Sequence, residues 1–396
     1  MDILYLCHCA PFPPDKGEKF RANYEAKSLA RKHRVHLVCF ARSHSEMQST
    51  LDAGFASVHV ELLSPQRALP GAAIRFAAGD CLNIAFYSSR SMQQHIRHLS
   101  SQVRFSCAIA YSFVMVPYVP AGVPYVLDMQ DVDSEKWFQY SRHRWPGFLY
   151  GMEARRIRKL EVEYARRATQ SLFTTRPEEA LFHSFAGDEP RTATMENGVD
   201  FEAFDPAMVP RLPELRGRRY LIFVGSMDYY PNADAVCWFA ETVFPELRKR
   251  DPKLEFFIVG RNPTREVVEL GKMPNITVTG GVPDPRPYLA DALAFVAPLR
   301  IARGIQMKVL EATAMSKWTL ASPDVCKCFG DDVPRGIIPC ATAADYADAL
   351  SRDLTVVDPE IREQGRRRFS WETNIQVFLN EAENAMRRDS SPALRA

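Results

Sequence analysis

Three segments carry residue types and spacings that could do chemistry. In Leu299-Arg300-Ile301-Ala302-Arg303-Gly304-Ile305-Gln306-Met307-Lys308-Val309-Leu310-Glu311-Ala312, one glycine precedes a lysine and a glutamate at helical intervals. A helix opening at Gly304 would offer free N–H groups and the positive end of its dipole to a diphosphate, and Lys308 would add a point charge one turn later. Glu311, two turns along the same face, could accept hydrogen bonds from ribose hydroxyls. The competing reading is a solvated helix face, which is what helix charges usually form. In Pro11-Phe12-Pro13-Pro14-Asp15-Lys16-Gly17-Glu18-Lys19-Phe20-Arg21, Gly17 stands where a first strand hands over to a first helix. Such an edge lets backbone N–H groups approach an anion, although a Pro-rich surface loop fits the same residues. The segment is neither a Walker loop nor a G-x-G-x-x-G. The third kind of candidate, Cys7-His8-Cys9 and Cys326-Lys327-Cys328, has a one-residue spacer instead of the usual two to four, and nothing in the sequence makes the pairs meet. No metal is expected, and Cys7 and Cys9 are read as pointing to one side of a strand.

The elements that must position these residues follow from hydrophobic patterning. Short apolar runs alternate with longer amphipathic segments, the pattern of a parallel sheet wrapped by helices, so the class is α/β. Strands are expected near Ile3 to Cys7, Val35 to Phe40, Val58 to Leu63, Cys107 to Tyr111, Tyr125 to Asp128 and Ser171 to Thr174. A second series, near Tyr220 to Val224, Leu254 to Val259, Ile276 to Thr279 and Leu293 to Ala297, includes a helix from about Asn232 to Arg250. Between the series, Asn197-Gly198-Val199-Asp200 and then Pro206, Pro210 and Pro213 read as a connection. The expected domains are 1–190, 198–368 and a terminal helix and tail at 369–396, with Asp389 to Ala396 fraying.

Composition excludes other classes. Fifty Lys and Arg against 48 Asp and Glu leave a formal charge of +2, which gives no field to hold a nucleic-acid backbone. Nine cysteines, an odd number, suit a reducing cytoplasm better than a disulfide framework. The N-terminus offers no basic signal region, and the apolar stretch Phe105 to Leu127 is interrupted by Pro117, Pro120 and Pro124, so no membrane span is expected. Arg142 to Arg167, rich in Arg with Trp145, Phe148, Leu149 and Tyr150 beside it, fits either an anionic membrane surface or a solvated helix whose basic charge Glu153, Glu161 and Glu163 dilute.

These elements resemble the GT-B glycosyltransferases, specifically the large retaining group 1, or family 4, type that uses nucleotide sugars. The resemblance rests on the Gly17 loop, Ile222-Phe223-Val224-Gly225, Phe257-Ile258-Val259-Gly260-Arg261, Val278-Thr279-Gly280-Gly281-Val282-Pro283-Asp284 with Pro287-Tyr288-Leu289, and the Gly304 to Ala312 segment. Asp131-Val132-Asp133-Ser134-Glu135-Lys136-Trp137, Met227 to Val236 and Ala297 to Gln306 are similar to the sugar transferases of PEP-CTERM/exosortase exopolysaccharide systems. The resemblance implies two Rossmann-like domains facing a cleft. The C-terminal one would hold a UDP- or GDP-sugar as co-substrate, with no cofactor, and the N-terminal one a glycan or lipid-linked acceptor at the inner face of the plasma membrane. Carried over, Gly225 and Arg261 line the donor side, and Gly17 belongs to it as well. Gly281 and Val282 approach the base, Gly304 and Ile305 cap the phosphates, Glu311 holds the ribose, and Lys308 offsets diphosphate charge as the glycosidic bond breaks.

The chain departs from the family at informative positions. Arg303 stands where a sugar-binding Glu is usual, and a guanidinium cannot accept from hydroxyls. Gln130 occupies the position of a His, so a carboxylate role passes to Asp131, ahead of Asp128. Met307 and Ser316 replace an expected Asn and Gly. These changes keep two alternatives open, a catalytically silent binding partner in a polysaccharide complex and a sugar-nucleotide epimerase or hydrolase.

Overall fold

The computed structural model describes residues 1–14, 17–143, 145–302, 304–356 and 358–389. Arg303, and the tail expected to fray apart from Asp389, lie outside the described residues. The chain forms two compact units, one of Met1–Met195 together with the segment from Ile375, the other of Glu196–Asn374.

The first unit holds a seven-stranded parallel sheet in the order β3-β2-β1-β4-β5-β6-β7. The strands are β1 Asp2–Cys7, β2 Arg34–Ala41, β3 Ser57–Leu62, β4 Cys107–Tyr111, β5 Tyr125–Gln130, β6 Gln170–Phe173 and β7 Thr192–Thr194. β4 and β6 are buried along their whole length, as expected of inner strands of a parallel sheet with both faces covered. Beyond the sheet, Ile375, Phe378, Ala382, Ala385 and Met386 of the Trp371–Asp389 helix are buried.

The second unit repeats the order with six parallel strands, β10-β9-β8-β11-β12-β13. These are β8 Tyr220–Val224, β9 Glu255–Val259, β10 Ile276–Gly280, β11 Ala294–Ala297, β12 Thr319–Ala321 and β13 Ile337–Pro339. Where the unit's ends meet, the Val199 N–H donates to the Phe369 carbonyl at 2.8 Å and the Asn374 amide to the Asn197 carbonyl at 3.3 Å. Gly198 lies against Trp371 so closely that a Cβ there would fall 2.6 Å from the ring.

In both sheets the order of strand addition reverses between the first and fourth strands, β1 and β4 in one, β8 and β11 in the other. In open α/β sheets ligands gather outside the carboxyl ends of the strands at such a switch point.

Sequence patterning missed three strands, β7, β12 and β13, because three residues are too few to show a period. The helix expected over Asn232 to Arg250 is broken by a π turn at Phe239–Val243, between helices Tyr230–Trp238 and Phe244–Arg250. Pro245 accounts for the break, since it has no N–H to give to the carbonyl four residues back. The Phe105 to Leu127 stretch forms β4 and β5 joined by a 3-10 segment, Phe113–Tyr118. Among the described residues no helix is long and apolar enough to cross a membrane.

Candidate functional site

The switch point of the second unit assembles most of the residues singled out. Gly225 follows β8, and its N–H donates to the Val259 carbonyl at 3.0 Å. A Cβ on Gly225 would meet the Asn232 side chain, Nδ2 at 2.8 Å, and one on Gly260 would fall 1.7 Å from the Gly225 carbonyl oxygen, so Gly260 demands glycine for close backbone approach and Gly225 leaves room for the Asn232 amide. Met227 N donates to Arg261 O at 2.9 Å, and a Cβ on Gly281 would stand 3.4 Å from Arg261 Cβ. Gly225, Arg261 and Gly281 therefore line adjacent carboxyl ends of β8, β9 and β10. Val282 is part-exposed at the rim and packs on the core.

After β11 the chain runs through Gly304, left-handed at φ 64°, and Ile305, which is buried. Ile305 can present only its backbone to a ligand. The helix begins at Met307, three residues later than expected from the position of Gly304, with Gln306 as its N-cap. The Gln306 side chain makes no capping bond and turns instead to the Gly304 carbonyl at 3.3 Å. The positive end of the helix dipole therefore lies at Met307, next to Lys308.

Lys308 and Glu311 share one face of this Met307–Ala314 helix. The Lys308 ammonium donates to Asn232 Oδ1 at 2.6 Å and lies 5.1 Å over the Phe223 ring, while Asn232 Nδ2 donates to the Ser226 carbonyl at 2.9 Å. Asn232, buried at the start of the Tyr230–Trp238 helix, was not among the expected site residues, although it lies within the Met227 to Val236 segment that carries the resemblance. Burial lowers Lys308 to about 8 against the pull of Glu311, and burial raises Glu311 to about 7 against the pull of Lys308. Among the described residues no hydrogen-bond donor reaches the Glu311 carboxylate. An ammonium held by Asn232 and a part-exposed carboxylate with no protein donor, one turn apart, suit a ligand bearing both anionic oxygens and hydroxyl groups.

In the first unit, Gly17 opens the Gly17–Ala30 helix at the carboxyl end of β1. Asp128 is excluded from chemistry, being buried in a two-toothed pair with Arg21, Nε to Oδ2 at 2.6 Å and Nη2 to Oδ1 at 3.0 Å. Arg21 also donates to the Met195 carbonyl at 2.7 Å. A register shift after Asp128 and a left-handed Gln130, φ 66°, leave Asp131 just beyond the strand end, where it accepts from Thr174 Oγ1 at 2.6 Å. Asp133, which opens the next helix, is raised by burial and by Asp131, against Lys136 and His8. It is a second carboxyl that sequence reasoning passed over.

The cysteine pairs separate. Cys326 and Cys328 lie in a short helical turn, whereas Cys7 and Cys9 do face one way, with sulfurs 3.7 Å apart. Burial raises the Cys7 thiol; the hydrogen bond from Cys7 and the nearby His8 lower Cys9 despite its burial. Burial disfavours charge on His8, yet Cys9 and Glu18 outweigh it and bring the imidazole to about 9.

Over 142–167, two of the three glutamates expected to dilute the basic face are buried. Glu153 accepts from the backbone N–H groups of Leu82 and Asn83, and Glu161 from that of Ser134. The exposed face of the Gly147–Arg167 helix carries Arg155 and Lys159 with Glu163, beside Trp145 at 92% exposure and Phe148 at 68%.

Residues 218–355 match the family described as glycosyl transferases group 1. Over nearly the whole length of both chains, the structure is similar to HepE of Anabaena in complex with UDP, at 12% identity and TM-score 0.67, covering 97% of this chain and 100% of that one. It is also similar to sucrose-phosphate synthase of Thermosynechococcus elongatus, at 13% identity and TM-score 0.65, covering 98% and 100%. A third similar structure is an α,α-trehalose 6-phosphate synthase of Burkholderia multivorans, at 12% identity and TM-score 0.66, covering 98% and 100%. No curated protein matches the sequence. With its two parallel sheets of like order, the chain has the GT-B fold of these structures, and the match to the glycosyl transferases group 1 model falls within its second unit.

Proposed function

We propose that the protein is a retaining, metal-independent glycosyltransferase that moves a hexose from a UDP- or GDP-sugar to a glycan or lipid-linked acceptor, an exopolysaccharide precursor. The observation that carries this reading is the Lys308 and Glu311 pair, both desolvated, on a helix whose N-terminus has no side-chain cap at the β8–β11 switch point. Similar HepE structures bound to UDP and to UDP-glucose support a nucleotide-sugar donor. In the proposed reaction the bond between the sugar carbon and the diphosphate oxygen breaks and its electron pair leaves on that oxygen. Lys308 and the backbone N–H groups near Ile305 are set where this charge develops. The acceptor hydroxyl forms the new bond on the same face and passes its proton to the departing diphosphate oxygen. Asp131 is the carboxylate assigned to the sugar or acceptor side.

The exposed Trp145 and Phe148 beside Arg155 and Lys159 support peripheral contact with an anionic membrane, where a lipid-linked acceptor would reside. Gln130 favours a second reading, a silent donor-binding protein, because an amide takes no proton at neutral pH.

The test is a panel of nucleotides and nucleotide sugars scanned by thermal shift and calorimetry, followed by transfer assays with membrane extracts. No binding to any of them sinks both readings; binding without transfer selects the silent one. Glu311→Ala should weaken nucleotide binding, and Lys308→Ala should reduce turnover more than binding.

A further inference from the structure

We propose that Cys7, His8 and Cys9 form a binding site for a single thiophilic metal ion, of which Zn2+ is the representative. One ligand atom from each residue lies within 4.8 Å of the others. The decisive dimension is the 3.7 Å between the two sulfurs. Two thiolates each about 2.3 Å from a tetrahedral zinc stand about 3.8 Å apart, so the pair already spans one edge of the coordination polyhedron. A disulfide would require the same sulfurs to close to about 2.05 Å.

The imidazole is held as a metal ligand's would be. His8 Nδ1 lies 3.3 Å from the Tyr111 carbonyl and the ring stacks on Tyr111 at 5.7 Å, which directs Nε2 away from the backbone. Ligating histidines characteristically give their other N–H to such a carbonyl. Glu18 Oε2 stands 3.6 Å from Nε2, so the fourth position falls to this carboxylate or to water.

Access and anchoring are both present. Cys7 is buried at the end of β1, directly across from Cys39 of β2 in register, whereas His8 and Cys9 are part-exposed and give the ion a way in. In the sequence the one-residue spacer stands against a metal. A one-residue spacer fails in a straight strand because the middle side chain points away, but here the strand ends at Cys7 and the chain turns, bringing the His8 ring alongside both sulfurs. Two thiolates and an imidazole select a borderline-soft ion over Mg2+ or Ca2+. The ion would be structural, tying the end of β1 to the segment that leads to the Gly17–Ala30 helix, and does not depend on the transfer reaction proposed above.

The test uses the reduced full chain, stripped with a chelator and titrated with Co2+ alone as an optical probe. One equivalent should produce sulfur-to-cobalt charge-transfer absorption with the visible bands of tetrahedral cobalt, and Zn2+ should displace it. Because Cys7 is buried and its replacement endangers the fold, Cys9→Ser is the primary variant and His8→Gln the second. Each should weaken Co2+ binding by more than the roughly 10–100-fold that loss of an outer hydrogen-bonding partner costs. Cys237→Ser, at a part-exposed thiol of the second unit, should leave binding unchanged. Absence of the charge-transfer band, or its persistence in Cys9→Ser, overturns the proposal. So does a Cys7–Cys9 disulfide in a protein whose reduced form takes up no Co2+. Because the readout involves no nucleotide, its failure leaves the donor site untouched.

Discussion

Nucleotide binding should move protons, and their direction should reverse between pH 7 and pH 8. In the free protein Lys308 sits at about 8 and Glu311 at about 7, both displaced by burial. The Lys308 shift from 10.5 corresponds to ~3 kcal/mol, a desolvation cost that a bound diphosphate would relieve by holding the ammonium charged. At pH 8 about half of the Lys308 population is neutral, so binding UDP should take up about 0.4–0.5 proton. At pH 7 about half of Glu311 is protonated and must ionise to accept ribose hydroxyls, so binding should release about 0.4–0.5 proton. The two effects cancel near pH 7.5, by symmetry about 7 and 8. The assay is calorimetry of UDP binding at both pH values in buffers of different ionisation enthalpy, whose slope counts protons. Lys308→Met should abolish the uptake and leave the release; Glu311→Gln should do the reverse. The same proton count at pH 7 and 8, or variants that leave the pattern intact, would refute the assignment of these two residues to diphosphate and ribose.

Other consequences are separately measurable. Without nucleotide, Lys308→Met should stabilise the protein by about 1–2 kcal/mol after loss of the Asn232 bond, roughly 3–6 °C in Tm. That gain should be full below pH 8 and fade toward 10.5, because the unfolded lysine keeps its proton over an interval in which the folded one has lost it. Gly260→Ala should cost about 1–3 kcal/mol and abolish UDP binding, since its Cβ meets a backbone carbonyl that cannot retreat; a normal titration with UDP would contradict this. Asp128→Asn, which takes one carboxylate from buried Arg21 and leaves it Glu25 and the Met195 carbonyl, should cost about 1.5–3 kcal/mol in urea unfolding. Asp131→Asn should lower kcat roughly 100-fold or more with UDP affinity unchanged; weaker UDP binding would move Asp131 out of its assigned role.

The two sheets were legible because buried parallel strands write themselves as apolar runs, as at β4 and β8, and the glycines because a close approach excludes every other side chain. Gly225 and Gly260 are explained in this way by distances no sequence states. What stayed hidden depends on where side chains turn. Asp128 and Asp131 are three residues apart and chemically alike, yet Arg21, a hundred residues away, claims the first and leaves the second at the strand end. Glu153 and Glu161 read as surface charge but cap buried backbone instead. The start of the helix at Met307 was missed because Gly304 marks a left-handed bend, not an N-cap, and both uses of glycine look the same in sequence.

The return of the last helix to the first unit bears on synthesis. The ribosome delivers everything the second unit needs, through Asn374, before it delivers Ile375, Phe378, Ala382, Ala385 and Met386, which the first unit buries. The half of the protein that begins first is therefore completed last, against the usual order in which domains mature as they emerge. Until that helix emerges, the early unit must wait with the apolar seat of the helix uncovered, so a nascent chain stalled near residue 374 would be the form most in need of a chaperone.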